Sequence, residues 1–356
     1  MTQIWYATRE DVKEVLDFKE TARNNRRIDR AISTAARSLE RQMHRRFYPE
    51  DDTRFMDWPN DQFAPSGVLY LGENRELISL IILKSGTTVI PSTDYYLEPD
   101  EDGPPFTRLR LRSDKSSSFG QGSTHQRDVT MTGLFGYQND EEAAGTINEA
   151  LDAVETEVDV TDSSEIGVGS LIKVDSERMN VIGKTYIASG DTVQTDALIA
   201  KADNTTVKVT NGSTFFVDEI ILIDAEKMKI VEISTNSLIV KRAWDGTVLA
   251  SHTVSTAVNV PRRLVVEREV LGSTAATHTT ATPIQRFLFP PLVVEYCTAL
   301  ALTTVLQGQS GYARISGLRN YNLRNVSQRD AIGRGVADIM EECYVAHGRK
   351  SRKDAI

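Results

Sequence analysis

Cysteine is scarce. Cys297 and Cys343 are the only two in 356 residues, too few for a disulfide framework, and both fall in apolar helix-like stretches where a buried free thiol is the ordinary state. No run of about 18 apolar residues exists to cross a bilayer, so no membrane partner is expected. The opening Met1-Thr2-Gln3-Ile4-Trp5 lacks the basic and apolar regions of a signal peptide, which predicts a chain that stays in the cytoplasm. Gly-x-Gly-x-x-Gly after a strand, the P-loop, His-Glu-x-x-His, Gly-x-Ser-x-Gly and Cys-x-x-Cys are all missing. The five histidines, His44, His125, His252, His278 and His347, show no spacing that would set two on one helix face for a metal. These absences turn expectation away from enzymes: no catalytic residue, cofactor or metal ligand is assigned.

What the chain has instead is a repeat. Val158 to Val181 superimposes without a gap on Val207 to Ile230, each shared position differing by 49, as in Val160/Val209, Ile172/Ile221, Asp175/Asp224, Glu177/Glu226 and Met179/Met228. Two copies of one supersecondary unit are the simplest reading. Alternation in Ile172-Lys173-Val174-Asp175 and Ile221-Leu222-Ile223-Asp224 indicates short strands. The second copy runs on into Arg242-Ala243-Trp244-Asp245-Gly246-Thr247, where Asp-Gly signals a hairpin. The first copy shows no such ending, so similar halves with different edges are expected. The Asp175/Glu177 and Asp224/Glu226 pairs suit a Ca²⁺ ion in residue type. Without a loop of further ligands, solvated carboxylates beside a turn are the preferred reading.

The net charge of −9 is unevenly placed: residues 140–260 hold 21 acidic against 9 basic residues, a balance of −12, which leaves +3 for the rest. Thr21 to Tyr48 carries eight arginines, Arg23, Arg26, Arg27, Arg30, Arg37, Arg41, Arg45 and Arg46, against Asp29 and Glu40. Such a cluster fits a grip on nucleic acid or on an acidic protein surface. A solvated helix face with internal ion pairs fits it equally.

Periodicity supplies the architecture. Thr8-Arg9-Glu10-Asp11 reads as a capped helix start. Ile28, Ile32, Ala35, Leu39, Met43 and Phe47 then form one stripe of a helix of about 25 residues. From Val68 to Tyr137 the period is two, with turns at Ser85-Gly86 and Asp102-Gly103 and an aperiodic, exposed loop over Ser113 to Arg127. Thr274 to Thr282 reads as a Thr/Ala linker. Pro290-Pro291 opens an apolar helix. Ser327-Gln328-Arg329-Asp330 caps a last one, with Ile332, Val336, Ile339 and Met340 on one face. Arg349, Lys350, Arg352 and Lys353 follow as a free cationic tail. The expected fold is α+β: a helical bundle core with a β-hairpin region (1–137 plus 283–356), interrupted by an inserted, acidic, all-β domain of two similar units (138–282).

A basic helix ending Arg45-Arg46-Phe47-Tyr48, a hairpin region, Val129-Thr130-Met131-Thr132-Gly133-Leu134-Phe135-Gly136-Tyr137 and a helix beginning Pro290-Pro291-Leu292-Val293-Val294-Glu295 follow one another in this order. That order resembles the head-to-tail connector, or adaptor, family of long-tailed double-stranded DNA bacteriophages. The resemblance covers the flanks; the repeat block departs from the family, and itself resembles small β-modules of phage structural proteins. It implies a virion neck protein assembled in the host cytoplasm. Its partners would be copies of itself in a ring, a dodecamer by family resemblance, the portal protein, a head-closure or tail-side neck protein, and viral DNA that passes through the channel without sequence-specific binding. The Arg23 to Arg46 series, the Ile332, Val336, Ile339 and Met340 face and the cationic tail are the expected contact surfaces. A nucleic-acid-binding regulator using residues 21–48 and a carbohydrate-binding decoration protein using the β domain are the alternatives.

Overall fold

The computed structural model describes residues 3–16, 25–58, 67–315 and 335–349. Its architecture corrects the expected helical bundle core: three sheets dominate, and the described residues hold four helices, α1 (Arg9–Leu16), α2 (Asn25–Met43), α3 (Pro291–Ile315) and α4 (Val336–His347). The stripe of α2 is genuine, burying Ile28, Ala31, Ile32, Ala35, Ala36, Leu39 and Met43. What closes over it, however, includes residues of two strands and a 3₁₀ turn. Leu171, Val270 and Phe287 share its core with Val293, Tyr296 and Cys297 of α3 and Ile339 and Cys343 of α4. An amphipathic helix needs an apolar partner, and a narrow stripe does not specify that the partner be another helix.

Thr8 caps α1 as its sequence suggests: the Thr8 Oγ1 accepts from the Asp11 N–H (3.1 Å) and the Asp11 carboxylate accepts from the Thr8 N–H (2.7 Å). After α2, β1 (Glu50–Met56), β7 (Val129–Phe135), β3 (Leu77–Ser85) and β4 (Thr88–Ile90) form a sheet in that spatial order, while β2 (Val68–Tyr70), β6 (Arg108–Leu111) and β5 (Tyr95–Glu98) form a second. The two enclose one apolar core that includes Leu69, Leu83, Leu109, Met131 and Phe135. The loop over Ser113 to Arg127 is largely exposed, yet it is tethered, because the Asp128 carboxylate accepts from the Gly120 and Gly122 N–H groups (2.9 and 2.6 Å) and from the Ser85 hydroxyl (2.6 Å).

The third sheet has ten strands and contains both repeat copies. They are β8 (Glu141–Thr146), β9 (Glu157–Asp159), β10 (Leu171–Val174), β11 (Glu177–Thr192), β12 (Thr206–Lys208), β13 (Ile220–Ile223), β14 (Glu226–Ser234), β15 (Ser237–Lys241), β16 (Ala257–Glu267) and β17 (Pro283–Phe287). The copies do not follow one another; the second is nested inside the first. In copy two, β14 turns tightly into β15 with Ser234 opposite Ser237. In copy one, β11 and β16 are the equivalent strands, and Thr185 and Arg263 are the equivalent opposed pair. The chain between them runs out along an extended ribbon and builds the whole of copy two. Pairing repeats accordingly: Val158 opposes Leu264 as Val207 opposes Leu238, and Lys173 opposes Gln285 as Leu222 opposes Asn259.

Three expectations are corrected here. Copy one does have an ending, at Arg268-Glu269-Val270-Leu271-Gly272-Ser273 and on to His278, but the offset there is 26 rather than 49 because copy two has already intervened. The segment read as a Thr/Ala linker is the tail of that ending. The Asp-Gly of copy two is also no hairpin. Ala243 (φ 53°) and Asp245 (φ 55°) are left-handed, and the chain makes a 3₁₀ turn over Trp244–Gly246. Glu269 (φ 56°) and Leu271 (φ 55°) repeat the geometry. Each module has its own core, one including Val158, Met179, Val181, Leu264 and Ile284, the other Val207, Met228, Ile230, Leu238 and Val258.

The nested topology makes module two removable. Replacing residues 186–262 with Thr-Asn, the dipeptide that joins Ser234 to Ser237, should close module one by its sibling's own turn. The shortened chain should unfold cooperatively, with a Tm within about 5 °C of the parent. Loss of a cooperative melt would contradict the equivalence of the two hairpins.

Candidate functional site

Titratable groups converge at two equivalent places, one per module, and the two are near copies. In module two the Glu226 carboxylate is fully buried. It accepts from Arg242 Nε (2.7 Å) and Nη2 (2.8 Å), from the N–H groups of Ala243 and Ala250 (2.9 Å each) and faces His252 Nε2 at 3.0 Å. The other ring nitrogen, Nδ1, meets Asp224 at 2.7 Å. In module one Glu177 takes Arg268 Nε (2.8 Å) and Nη2 (2.6 Å), the Ala276 N–H (3.0 Å) and His278 Nε2 (3.0 Å), while His278 Nδ1 meets Asp175 at 2.7 Å.

A bidentate guanidinium–carboxylate pair is the arrangement best able to survive removal from water, because both charges are met and both fork geometries match. Arg242 also donates to the carbonyls of Asn204 (3.0 Å) and Ala250 (2.6 Å), and Arg268 to those of Glu155 (3.2 Å) and Ala276 (2.6 Å). Each arginine therefore ties the turn that follows it to the loop just before the first strand of its repeat copy, β12 or β9.

Asp, Glu and His in contact suggest acid–base chemistry, but a general base needs a nitrogen within reach of substrate. Both ring nitrogens here are engaged, and His252 and His278 are buried. These clusters act as staples. The Ca²⁺ reading also falls away: the Glu of each pair belongs to an arginine, and no group of three or more His, Cys, Asp or Glu among the described residues is placed to hold a metal. The solvated alternative holds only for Asp175 and Asp224, which are about three-fifths exposed. The sequence signal for the staples was available as Arg-x3-Gly-[Ser/Thr]-x4-His, present at Arg242–His252 and Arg268–His278.

The expected contact residues separate into three groups. Arg26, Arg27, Arg30 and Arg41 are exposed, on the side of α2 away from its buried stripe. Arg37 instead pairs with Glu40 (2.7 Å), Arg46 with Glu50 (3.2 Å), and Arg45 is buried against Glu76 (3.1 Å) and the ring of Tyr137. On α4, Ile339 is buried and Val336 and Met340 pack on the same core, so this apolar face is occupied within the subunit. Arg349 is fixed to the carbonyls of Leu71 (2.6 Å) and Gly72 (2.8 Å), and its own N–H donates to Met43 (2.9 Å). It belongs to the fold and not to a free tail. Arg23, Ile332, Lys350, Arg352 and Lys353 lie outside the described residues, as does the expected cap at Ser327.

The chain matches no family model, no curated protein and no solved structure.

Burial alone would raise the Glu226 carboxyl, but Arg242, the Ala250 and Ala243 N–H groups and His252 together hold it at about 2, against 4.5 for the free group. Glu177 is lowered by the corresponding partners, again against its burial. A carboxyl depressed in the folded state stabilises above its unfolded value and loses that contribution as pH falls through the folded one. The contribution of Glu226 to module two should therefore be full above about pH 4.5 and be lost toward about pH 2. In Glu226→Gln this part of the pH dependence should vanish, at a cost in stability of roughly 3 kcal/mol or more at neutral pH from the unpaired buried guanidinium. Parallel acid titrations followed by near-ultraviolet circular dichroism, giving superimposable curves, would contradict the assignment.

Proposed function

We propose that this chain is a structural subunit of a bacteriophage neck, assembling as a ring that joins the portal of the head to the tail and prolongs the DNA channel. The order of elements in the flanks motivates the family reading. The observation that carries the surface chemistry is the arginine face of α2. Arg26, Arg27, Arg30 and Arg41 are exposed opposite the buried stripe and make no ion pair among the described residues. A cationic helix face held rigidly by the core behind it suits an acidic surface on a neighbouring subunit or on the portal, repeated head to tail until the ring closes. Duplex DNA carries one charge per about 1.7 Å, so arginines lining a conduit would retain it; in this reading they sit at the subunit contact. The two β modules extend outward as acidic, self-stapled units.

Reversing the face with Arg26→Glu, Arg27→Glu and Arg30→Glu should leave the melt of the subunit within about 0.5 kcal/mol of the parent, since the changes are at exposed positions. Ring formation with portal, seen by native mass or negative-stain imaging, should be lost. Unaltered assembly would sink the proposal. Tight, salt-sensitive duplex binding by the parent monomer, abolished in the variant, would transfer these arginines to the regulator reading.

A further inference from the structure

Modules one and two dock against the rest of the protein through the same turn, but with opposite chemistry. In module one the turn is apolar: Val270 is buried in the helical core with Leu271 packed beside it, and Gly272 lies so close to β1 that a Cβ would sit 1.9 Å from the Asp51 carbonyl oxygen. In module two the turn is charged. Asp245 accepts from Lys13 on α1 (2.8 and 3.0 Å) and from Lys227 (2.8 Å), and beside it Lys229 bridges Glu14 of α1 and Asp218 (2.8 and 2.9 Å). Between α1 and the modules lies a cleft of about 460 Å³, its lining including Lys184, Tyr186, Lys227, Trp244 and Pro261.

The covalent joint between the modules is correspondingly slim. Val181 and Leu264 are the nearest members of the first core, Val260 and the partly buried Ile187 of the second. Only the ribbon of residues 183–186 and 261–263 runs between them. Its register slips on both sides, between Val181 and Gly183 and between Thr185 and Ile187, and Pro261 removes a ladder donor at the same level. Adjacent arginines hold opposite sides of the joint: Arg262 forks onto Glu219 of module two (2.7 and 2.8 Å), Arg263 onto Asp159 of module one (2.6 and 2.8 Å).

From this geometry we infer that module two is a hinged arm, turning at the 183–186/261–263 ribbon and latched closed against α1 by the Lys13–Asp245–Lys227 and Glu14–Lys229–Asp218 ion pairs. Bulges concentrate bending in a strand pair, and two cores that share no residue move as units about the segment joining them. Ion pairs suit a latch because, unlike an apolar seam, they can be exchanged for water and counter-ions when the arm opens. The charge states fit a closed latch. Burial pushes the Lys13 ammonium down, while Lys13 and Lys227 hold the Asp245 carboxyl below its ordinary value against its own burial. Module one, plugged into the helical core by Val270 and Leu271, stays fixed.

Spin labels on Val15→Cys of α1 and Val231→Cys of β14, both exposed positions, report the latch in the full chain. Val154→Cys with Ile81→Cys serves as a module-one control. Burial pushes the native thiols up to about 12 for Cys297 and about 11 for Cys343, which keeps the labels off them. Asp245→Asn removes the charge while keeping a residue tolerant of the left-handed backbone. It should lower the closed-to-open ratio roughly tenfold, equivalent to about 1.4 kcal/mol, with a longer and broader first distance, increasingly so toward about 1 M salt, and an unchanged control. Lys13→Met should act alike. A first distance unchanged in both variants overturns the latch, as does an unchanged salt series of the parent should neither variant fold. Equal movement of the control overturns the hinge.

Discussion

Everything distinctive about the β region depends on one interaction, the bidentate pairing of a buried arginine with a buried glutamate, made once in each module. Neither charge could remain in the interior alone, since an isolated buried ion costs several kcal/mol and removal of one partner leaves the other exposed to that cost. The pair is tolerated because its surroundings complete it: backbone N–H groups and a histidine for the carboxylate, loop carbonyls for the guanidinium. In doing so it fixes a left-handed turn that no glycine relieves at Ala243, Asp245, Glu269 or Leu271. The histidine strand is then returned to where Leu198 or Leu151 pairs with it, through reciprocal N–H to carbonyl bonds of 2.8 to 2.9 Å. From there β16 and β17 re-enter the sheet.

A module stapled in this way can have its hairpin opened and a second module built into the gap, because closure no longer relies on the tip of the hairpin. Register is preserved on either side of the insertion, with Val158 still opposite Leu264 and Ile172 still opposite Arg286. The turn behind the staple arginine is then free to vary. Valine and leucine at 270 and 271 weld module one to the helices, whereas tryptophan and aspartate at 244 and 245 give module two a polar seam.

How much of this the sequence revealed follows the range of each interaction. Local signals were legible: the Thr8 cap, the α2 stripe, the strands between Val68 and Phe135, and the gapless copy of Val158–Val181 at Val207–Ile230. The partners of the staple residues were not, even though the Arg-x3-Gly-[Ser/Thr]-x4-His pattern recurs, since His278 meets Asp175 across 103 residues and Arg268 meets Glu177 across 91. A search at a fixed offset of 49 cannot find an ending displaced to 26. Histidines judged by their near neighbours looked isolated for the same reason. The expected helical bundle core fails because a stripe states that a face is buried and not by what; Leu171, Val270 and Phe287 answer that from more than a hundred residues away in sequence.

Each module is closed by its own staple and stands as its own cooperative unit, and hydrogen exchange in Glu226→Ala tests this directly. With the module-two staple broken, the amides of Ile230, Val240 and Ala250, held by Glu219, Thr205 and Glu226 in the parent, should lose protection. Those of Val181, Val266 and Ala276, held by Ser170, Thr156 and Glu177, should keep it. Loss of protection in both sets together would show a single ten-stranded unit and contradict the account, as would undiminished protection in module two.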